Sequence, residues 1–446
     1  MGQSPPSSSY NRNRIGLPFY QGKSEFGEIS PIPAKWCSEP IKIVKKNDIL
    51  LSVRAPVGPT NICLETSSIG RGLAGIRYLF RDEYKYIFYF LRSIEKDLDL
   101  LGTGSTFSAI SKSQISNLQI PLPPLPEQHR VVAKIEELFT RLDAGVAALT
   151  KAKALLKRYR QSVLKAAVEG KLTEEWRKEH AGEIEPASVL LERIQAERKQ
   201  RLGKSYKPPR PIDTSNLPEL PEGWEYGTLA NLIYIAGRIG WRGLKAEEYT
   251  LDGPLFLSVY NLDNGRIVDF TNAKHISFER YVESPEIMLQ DNDILLVKDG
   301  SGIGKIGIVK NLSDEATVNS SLLVIRSGYV FQPEFLLFFL MGPDMQSIVL
   351  RRITGSATPH LFQRDIKQFI LKIPPIEEQK EIVKRLSESL SIIDESEQII
   401  DAELQRAQSL RQSILKRAFA GKLVPQDPND EPASVLLERI RKEKKI

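Results

Sequence analysis

The chain repeats itself. "LPPLPEQHRVVAKI", starting at Leu122, returns 251 residues later as "IPPIEEQKEIVKRL" at Ile373. The same step of 251 takes "YRQSVLKAAVEGKL" (residues 159–172) to "LRQSILKRAFAGKL" (410–423), and the "TGS" of residues 103–105 to that of 354–356. "EPASVLLERI" recurs word for word 246 residues on, at 185–194 and 431–440, and "NDILL" at Asn47 recurs at Asn292. A period this long signals two copies of one domain-sized unit, not a stack of small repeats.

Each copy has two parts. The first is β-rich: short apolar runs such as "DILLSV", "DILLVK" and "SLLVIRS", broken by Gly, Pro, Asn and Asp. The second is a helix of about 45 residues, close to 70 Å long at ~1.5 Å per residue. Pro126 with Glu127, and Glu377 with Glu378, suit the helix starts, where carboxylates meet the positive end of the dipole. Gly170 and Gly421 suit the ends. Apolar residues occur at alternating steps of three and four: Ile135, Phe139, Leu142, Val146, Leu149, Leu156, Val163 and Ala167 in one copy, Leu386, Leu390, Ile393, Ile400, Leu404, Ala407, Ile414 and Ala418 in the other. A helix this long cannot bury such a stripe against a small domain, so its natural partner is its own repeat. The expected fold is α+β, with two β-rich domains separated by a long antiparallel two-helix coiled coil and an internal pseudo-twofold repeat.

The expected segments are a first β-rich domain over 1–121, a helix over 122–172, and a short helix with linker over 173–215. Next come a second β-rich domain over 216–372, a second helix over 373–423 and a tail helix over 424–446. Within the linker region, 186–198 reads as a short amphipathic helix, leading to a tether rich in Pro, Lys and Arg. Copy two opens with "LPEGWEYGTLANLIYIAGR", for which copy one has no equivalent, so the first domain is expected to be incomplete on that side. Arg160-Gln161-Ser162 and Arg411-Gln412-Ser413 interrupt the two stripes at equivalent positions. Their identity points to contact with two identical partners over a plain solvated face.

"DGSGIGKIGIV" (299–309) imitates a nucleotide loop: Gly302, Gly304 and Gly307 spell G-x-G-x-x-G, with Lys305 among them. A dinucleotide fold needs a helix next, and a P-loop needs Ser or Thr after the lysine. This chain instead places Ile306 and a β-branched run there, and the matching loop of copy one, "RAPVGPTNIC", has no such glycines. A turn between strands is the better reading. A nucleotide-binding enzyme is the first alternative, and a coiled-coil scaffold without DNA specificity the second.

Composition bounds the rest. Apolar residues are 41% and charged residues 26%, as in soluble globular proteins. The net charge of +6 is a weak pointer to a polyanion. With no apolar run long enough to span a bilayer, no signal-like start, and only Cys37 and Cys63, the expected compartment is the cytoplasm, with free thiols. The four histidines are scattered, so no metal site is expected.

Taken together, the paired "PPLPEQ" and "PPIEEQ" helix starts, the "LKAAVEGKL" and "LKRAFAGKL" helix ends, "LPEGW" and "NDILLVKDGSGIGKIGIV" resemble the specificity (S) subunit of type I restriction-modification enzymes over nearly the whole chain. The resemblance implies that each β-rich domain is a target-recognition domain reading one half of a split site in double-stranded DNA. It implies that the paired helices act as spacer and docking surface for two modification (methyltransferase) subunits, joined by ATP-dependent restriction subunits. The chain itself is expected to be non-catalytic and to bind no cofactor. S-adenosylmethionine, ATP and Mg would serve the complex through the other subunits. Side chains able to reach base edges or phosphates are, in copy one, Gln3, Asn11, Arg12, Arg14, Lys23 and Arg54, with Thr103 and Ser105 of the first "TGS" loop. In copy two they are Arg238, Arg242, Lys245, Asn261 and Lys305, with Thr354, Ser356 and His360.

Overall fold

The computed structural model describes residues 1–78, 84–102, 108–208, 211–238, 244–263, 265–300, 302–354, 360–367 and 369–443. The chain divides into two compact units: unit 1 is Met1–Lys151 with Ile399–Ile446, and unit 2 is Ala152–Gln398. Two 44-residue helices, Leu125–Val168 and Ile376–Phe419, each give one half to each unit. Both stop at a left-handed glycine, Gly170 (φ +71°) and Gly421 (φ +67°). Just beyond, Lys171 and Lys422 donate their N–H back to Ala166 and Arg417, both at 2.9 Å, which satisfies the last carbonyls.

Within each unit the two helix halves run antiparallel. In unit 2, Arg160 meets Asp394 and Glu397, while twelve residues further on the Leu172 carbonyl accepts from Arg385 at 2.8 Å. In unit 1, Arg411 meets Asp143 and lies over the Phe139 ring, and beyond the helix end Arg130 meets Asp430. The seam residues Ile135, Leu386, Leu390 and Ile393 are buried; a fully buried side chain of this size contributes about 2 kcal/mol. Arg160 and Arg411, expected to face partners or solvent, instead turn their guanidinium groups across the seam. Each sits where the stripe is interrupted, and the opposing helix supplies a carboxylate there.

Unit 2 is built on the strand Ile294–Val297. It lies third in an antiparallel sheet ordered Tyr234–Gly237, Leu322–Arg326, Ile294–Val297, Ile306–Ile308. Alternate residues face opposite sides of a strand. Ile294 and Leu296 join the core with the apolar helix Pro333–Met341 and the seam residues, and Leu295 and Val297 join Leu257, Val318 and Leu322 on the other face. A three-stranded sheet, Lys274–Ile276, Tyr249–Leu257 and Ala316–Val318, lies in the same unit. A two-stranded ribbon pairs Glu225–Thr228 with Ile370–Ile373 and leads into the second long helix. At that helix start Glu378 is fully buried and accepts from Thr173 Oγ1 (2.6 Å), Arg177 Nη2 (2.7 Å) and Trp224 Nε1 (2.8 Å). After the first long helix come a short helix, Glu174–Glu179, and then Ala187–Leu202, which is longer than the sequence suggests and has Pro186 just ahead of it.

Unit 1 repeats the central strand. Ile49–Ser52 lies between Thr60–Ile62 and Leu73–Ile76, all antiparallel. Ile49 and Leu51 pack with Tyr86, Phe88, Ile135 and Ile414, while Leu50 packs with Tyr20, Val44 and Cys63. The shared "ND" has one role in both copies. Asn47 and Asn292 both take φ +71°. Asp48 and Asp293 are buried; they accept the N–H of Lys45 (2.8 Å) and Gln290 (2.9 Å), and each receives an arginine Nε at 2.7 Å, from Arg77 and Arg326. A five-stranded sheet, ordered Tyr10–Asn11, Trp36–Cys37, Leu17–Tyr20, Ser67–Ile69, Ile43–Val44, completes the unit. Among the described residues, unit 1 holds no counterpart of Tyr234–Gly237 or Glu225–Thr228.

Candidate nucleic-acid interface

The central strand of each unit ends at the same backbone feature. In unit 2, Asp299 forms an isolated antiparallel bridge with His360, and Leu361 donates to the Lys298 carbonyl at 2.9 Å. In unit 1, Arg54 bridges Ala109, and Ile110 donates to the Val53 carbonyl at 3.0 Å. These positions correspond through the internal repeat: Arg54 to Asp299, Ala109 to His360, Ile110 to Leu361. Arg54 and His360, both candidates from the sequence, therefore stand at one architectural place in two copies.

Around His360 the chemistry is cationic and aromatic. The imidazole contacts the Asp299 carboxylate, which also pairs with Lys298. It lies edge-on to Phe362 at 4.4 Å, and the Arg364 guanidinium lies over that ring at 4.7 Å. A cavity of about 360 Å³ opens here, with Arg238, Lys298, His360, Phe362, Gln363 and Arg364 on its wall. Four of these carry or can carry positive charge, which suits an anionic backbone. Arg-on-aromatic and exposed ring faces suit stacking with bases. Lys298, Phe362 and Arg364 are not among the sequence candidates, although "HLFQR" lies just past the second "TGS". The signal that could have found them is an aromatic interleaved with basic residues beside a candidate loop.

Other sequence candidates have different surroundings. Arg238 is buried, donating to the Val318 carbonyl (3.0 Å) and Thr317 Oγ1 (3.3 Å) under the Phe256 ring. Asn261 is buried; its side-chain N–H donates to the Asp269 carbonyl and its Oδ1 accepts from the Ser258 N–H, both at 2.8 Å. Lys305 is exposed and ion-paired with Asp263. Lys245 is exposed, and its backbone N–H bonds Glu248 at 2.8 Å. In unit 1, Gln3, Arg12, Lys23 and Arg54 are exposed. Arg14 (φ +62°) places its guanidinium over Trp36 at 5.5 Å. Asn11 exchanges hydrogen bonds with Ile15 at 2.8 and 3.0 Å. Thr103, Ser105, Arg242 and Ser356 lie outside the described residues, and of Thr354 only the backbone, closing the helix Pro343–Thr354, is described.

The glycine loop is a hairpin turn. Ile294–Val297 leads into it and Ile306–Ile308 returns antiparallel, so the loop is followed by a strand and not by a helix. Each glycine answers a packing demand. A Cβ on Gly302 would meet Val259 at 2.7 Å, on Gly304 (φ +87°) Val349 at 2.7 Å, and on Gly307 Leu262 at 2.8 Å. Cys37 and Cys63 are buried free thiols, and burial pushes the Cys63 pKa up, away from thiolate reactivity. Among the described residues, no group of His, Cys, Asp and Glu is placed to hold a metal ion, and no helix is long and apolar enough to cross a membrane.

Known proteins share this organisation. The family model for the "Type I restriction modification DNA specificity domain" matches residues 12–153 and again 251–406, more than half of the chain and one stretch in each repeat. The EcoBI type I restriction enzyme specificity subunit of Escherichia coli is 26% identical over 98% of this chain and 88% of its own length. A chain assigned as the MjaX specificity subunit of Methanocaldococcus jannaschii is 40% identical over 39% of this chain, which spans 40% of that relative's length. In fold, a chain from a structural study of assembly and conformational transition of the type I R-M system has a TM-score of 0.62 at 17% identity, covering 91% of this chain and 92% of that one. The HsdS subunit from Thermoanaerobacter tengcongensis has a TM-score of 0.52 at 18% identity, covering 91% and 90%. With a duplicated β-rich unit, paired long helices and the family model found once in each repeat, this chain belongs to the type I restriction-modification DNA specificity family.

Proposed function

We propose that this chain is the non-catalytic specificity subunit of a type I restriction-modification complex, and that its two units read the two halves of a split DNA site. The observation that carries this reading is the repeated bridge at the end of the central strand. One framework holds Arg54 opposite Ala109 in one unit and Asp299 opposite His360 in the other. Equal geometry with unequal side chains is what two different half-sites require, since sequence is read by the donor and acceptor pattern of the side chains presented.

On this reading the long helices dock two modification subunits, and restriction subunits join that core. Methyl transfer, ATP use and Mg belong to those partners, with S-adenosylmethionine bound by the modification subunits. The test exchanges residues 216–372 for the corresponding segment of another family member and maps methylated bases after assembly with modification subunits. The expected result is a change in one half of the target only. A simultaneous change in both halves overturns the modular reading.

A further inference from the structure

One chain of backbone hydrogen bonds occurs in both units. In unit 2 the Leu257 carbonyl accepts from Asn319 at 2.9 Å; two residues on, the Ser321 carbonyl accepts from Lys298 at 2.9 Å, and the Lys298 carbonyl accepts from Leu361 at 2.9 Å. In unit 1 the Tyr20 carbonyl accepts from Gly70 at 2.8 Å; two residues on, the Gly72 carbonyl accepts from Val53 at 2.9 Å, and the Val53 carbonyl accepts from Ile110 at 3.0 Å. The last bond of each chain sits beside the strand-end bridge, Asp299 with His360 or Arg54 with Ala109. The first sits at the end of another strand, at Leu257 or Tyr20. Whatever follows that strand is therefore carried on the same frame as the bridge.

The two strands correspond in detail. Each follows a left-handed glycine, Gly253 (φ +106°) or Gly16 (φ +87°), where a Cβ would strike the carbonyl of the neighbouring strand, Ile276 or Cys37. Leu257 pairs in parallel with Val318, and Tyr20 with Ile69. Past each strand comes a tight helical turn, Val259–Leu262 or Lys23–Glu25. A side chain of the turn caps its entry. Asn261 Oδ1 accepts from the Ser258 N–H at 2.8 Å, and Glu25 Oε2 accepts from the N–H of Gln21 at 3.2 Å and of Gly22 at 3.0 Å. In unit 2 the glycine loop braces the turn: Lys305 pairs with Asp263, and a Cβ on Gly302 would meet Val259 at 2.7 Å. Three residues past the strand end stand Tyr260 in unit 2, 81% exposed, and Lys23 in unit 1, also exposed. Water is a poor place for a tyrosine ring, and the capped turn holds it there.

Building on the proposed role in a split DNA site, on which this step rests, we infer that the turn is a base-reading point in each unit, additional to the strand-end bridge, with Lys23 acting in one and Tyr260 in the other. The same frame carries unlike side chains, as half-sites of unlike sequence need. A lysine donates to the paired acceptors O6 and N7 of guanine in the major groove, whereas an aromatic ring packs on the C5-methyl of thymine. Lys23 is therefore assigned to a G·C pair and Tyr260 to an A·T pair.

The test takes the full chain assembled with modification subunits and measures methylation rates on DNA targets that differ from the recognised sequence by one base pair at a time. Tyr260→Ala should lower discrimination about tenfold at one pair of one half-site and leave the other half unchanged. Lys23→Ala should do the same in the other half. Tyr260→Lys puts the unit 1 side chain on the unit 2 frame and should turn the preference at that pair towards guanine. Both positions are exposed, so the variants should unfold in urea at the wild-type midpoint. Unchanged preference at every position, a uniform loss on all sequences, a defect confined to assembly with the modification subunits, or a lysine variant with the alanine profile would each overturn the inference. Exchange of residues 216–372 separates that result from failure of the split-site role itself. If the exchange still switches one half of the target while both alanine variants keep every preference, the role of the turn falls alone.

Discussion

Arg160 reaches Asp394 at 2.6 Å across the helix seam, and Arg411 reaches Asp143, the residue that corresponds to Asp394 in the other repeat. Arg160 is 17% exposed and also holds Glu397 at 2.9 Å. An arginine in an otherwise apolar stripe thus acts as a register mark: sliding one helix by a turn would strand both charges. Arg160→Ala is expected to cost about 1–2 kcal/mol, between the values for exposed and buried pairs. Urea unfolding of the single and double variants with Asp394→Ala measures the coupling. A coupling near zero would reduce the pair to surface decoration.

The start of the second helix should be more sensitive. Glu378 answers three donors and has no solvent contact. Glu378→Ala leaves the Arg177 charge unpaired and should cost about 3–5 kcal/mol. Trp224→Phe removes only the indole donor and should cost about 1–2 kcal/mol. Thermal and denaturant unfolding of both variants check the ranking; equal losses would show that ring packing, not the hydrogen bond, sets the stability here.

Gly304→Ala tests the glycine loop. The residue sits at φ +87° and its Cβ would press on Val349. A loss of about 1–3 kcal/mol is expected from strain and contact. ATP titration of the wild-type chain should give no saturable binding, and a measured affinity abolished by Gly304→Ala would revive a nucleotide role for the loop.

The interface residues should separate into readers and holders. His360→Ala should alter the preferred base at one position of one half-site, by about 1–3 kcal/mol for a lost base contact. Arg54→Ala should act on the other half. Arg364→Ala should weaken binding on all sequences and lower the salt dependence by about one unit of slope. Methylation mapping and salt titration with the assembled complex distinguish these outcomes, and uniform loss for all three variants would leave no reader among them.

Periodicity and repetition make the framework legible. The two helices, their glycine stops and the doubly buried central strands are set by local pattern, because a stripe of apolar residues or a run of four has few ways to be buried. Charged and polar side chains are harder, since their surroundings come from distant sequence. Nothing near Arg160 announces Asp394, and nothing near Asn261 announces that the Asp269 carbonyl will take its amide. Arg238 reads as a loop cation but is enclosed by Val318, Thr317 and Phe256. His360 and Arg54 are separate candidates in the sequence; only the paired bridges show them to share one place in the fold.

The division of the chain has a consequence for synthesis. Unit 1 joins residues from both ends of the chain, while unit 2 is one continuous stretch that ends at Gln398. A ribosome delivers residues from the N-terminus, and domains ordinarily close in that order. Here the order inverts. The second unit has all its parts when Gln398 has emerged, yet the first must wait for Ile414, Leu415 and Ala418 to cover Ile135 and Phe139. Its early sheets therefore spend most of translation with an uncovered apolar face, and a message cut short after residue 398 would yield a finished second unit beside a first that cannot close.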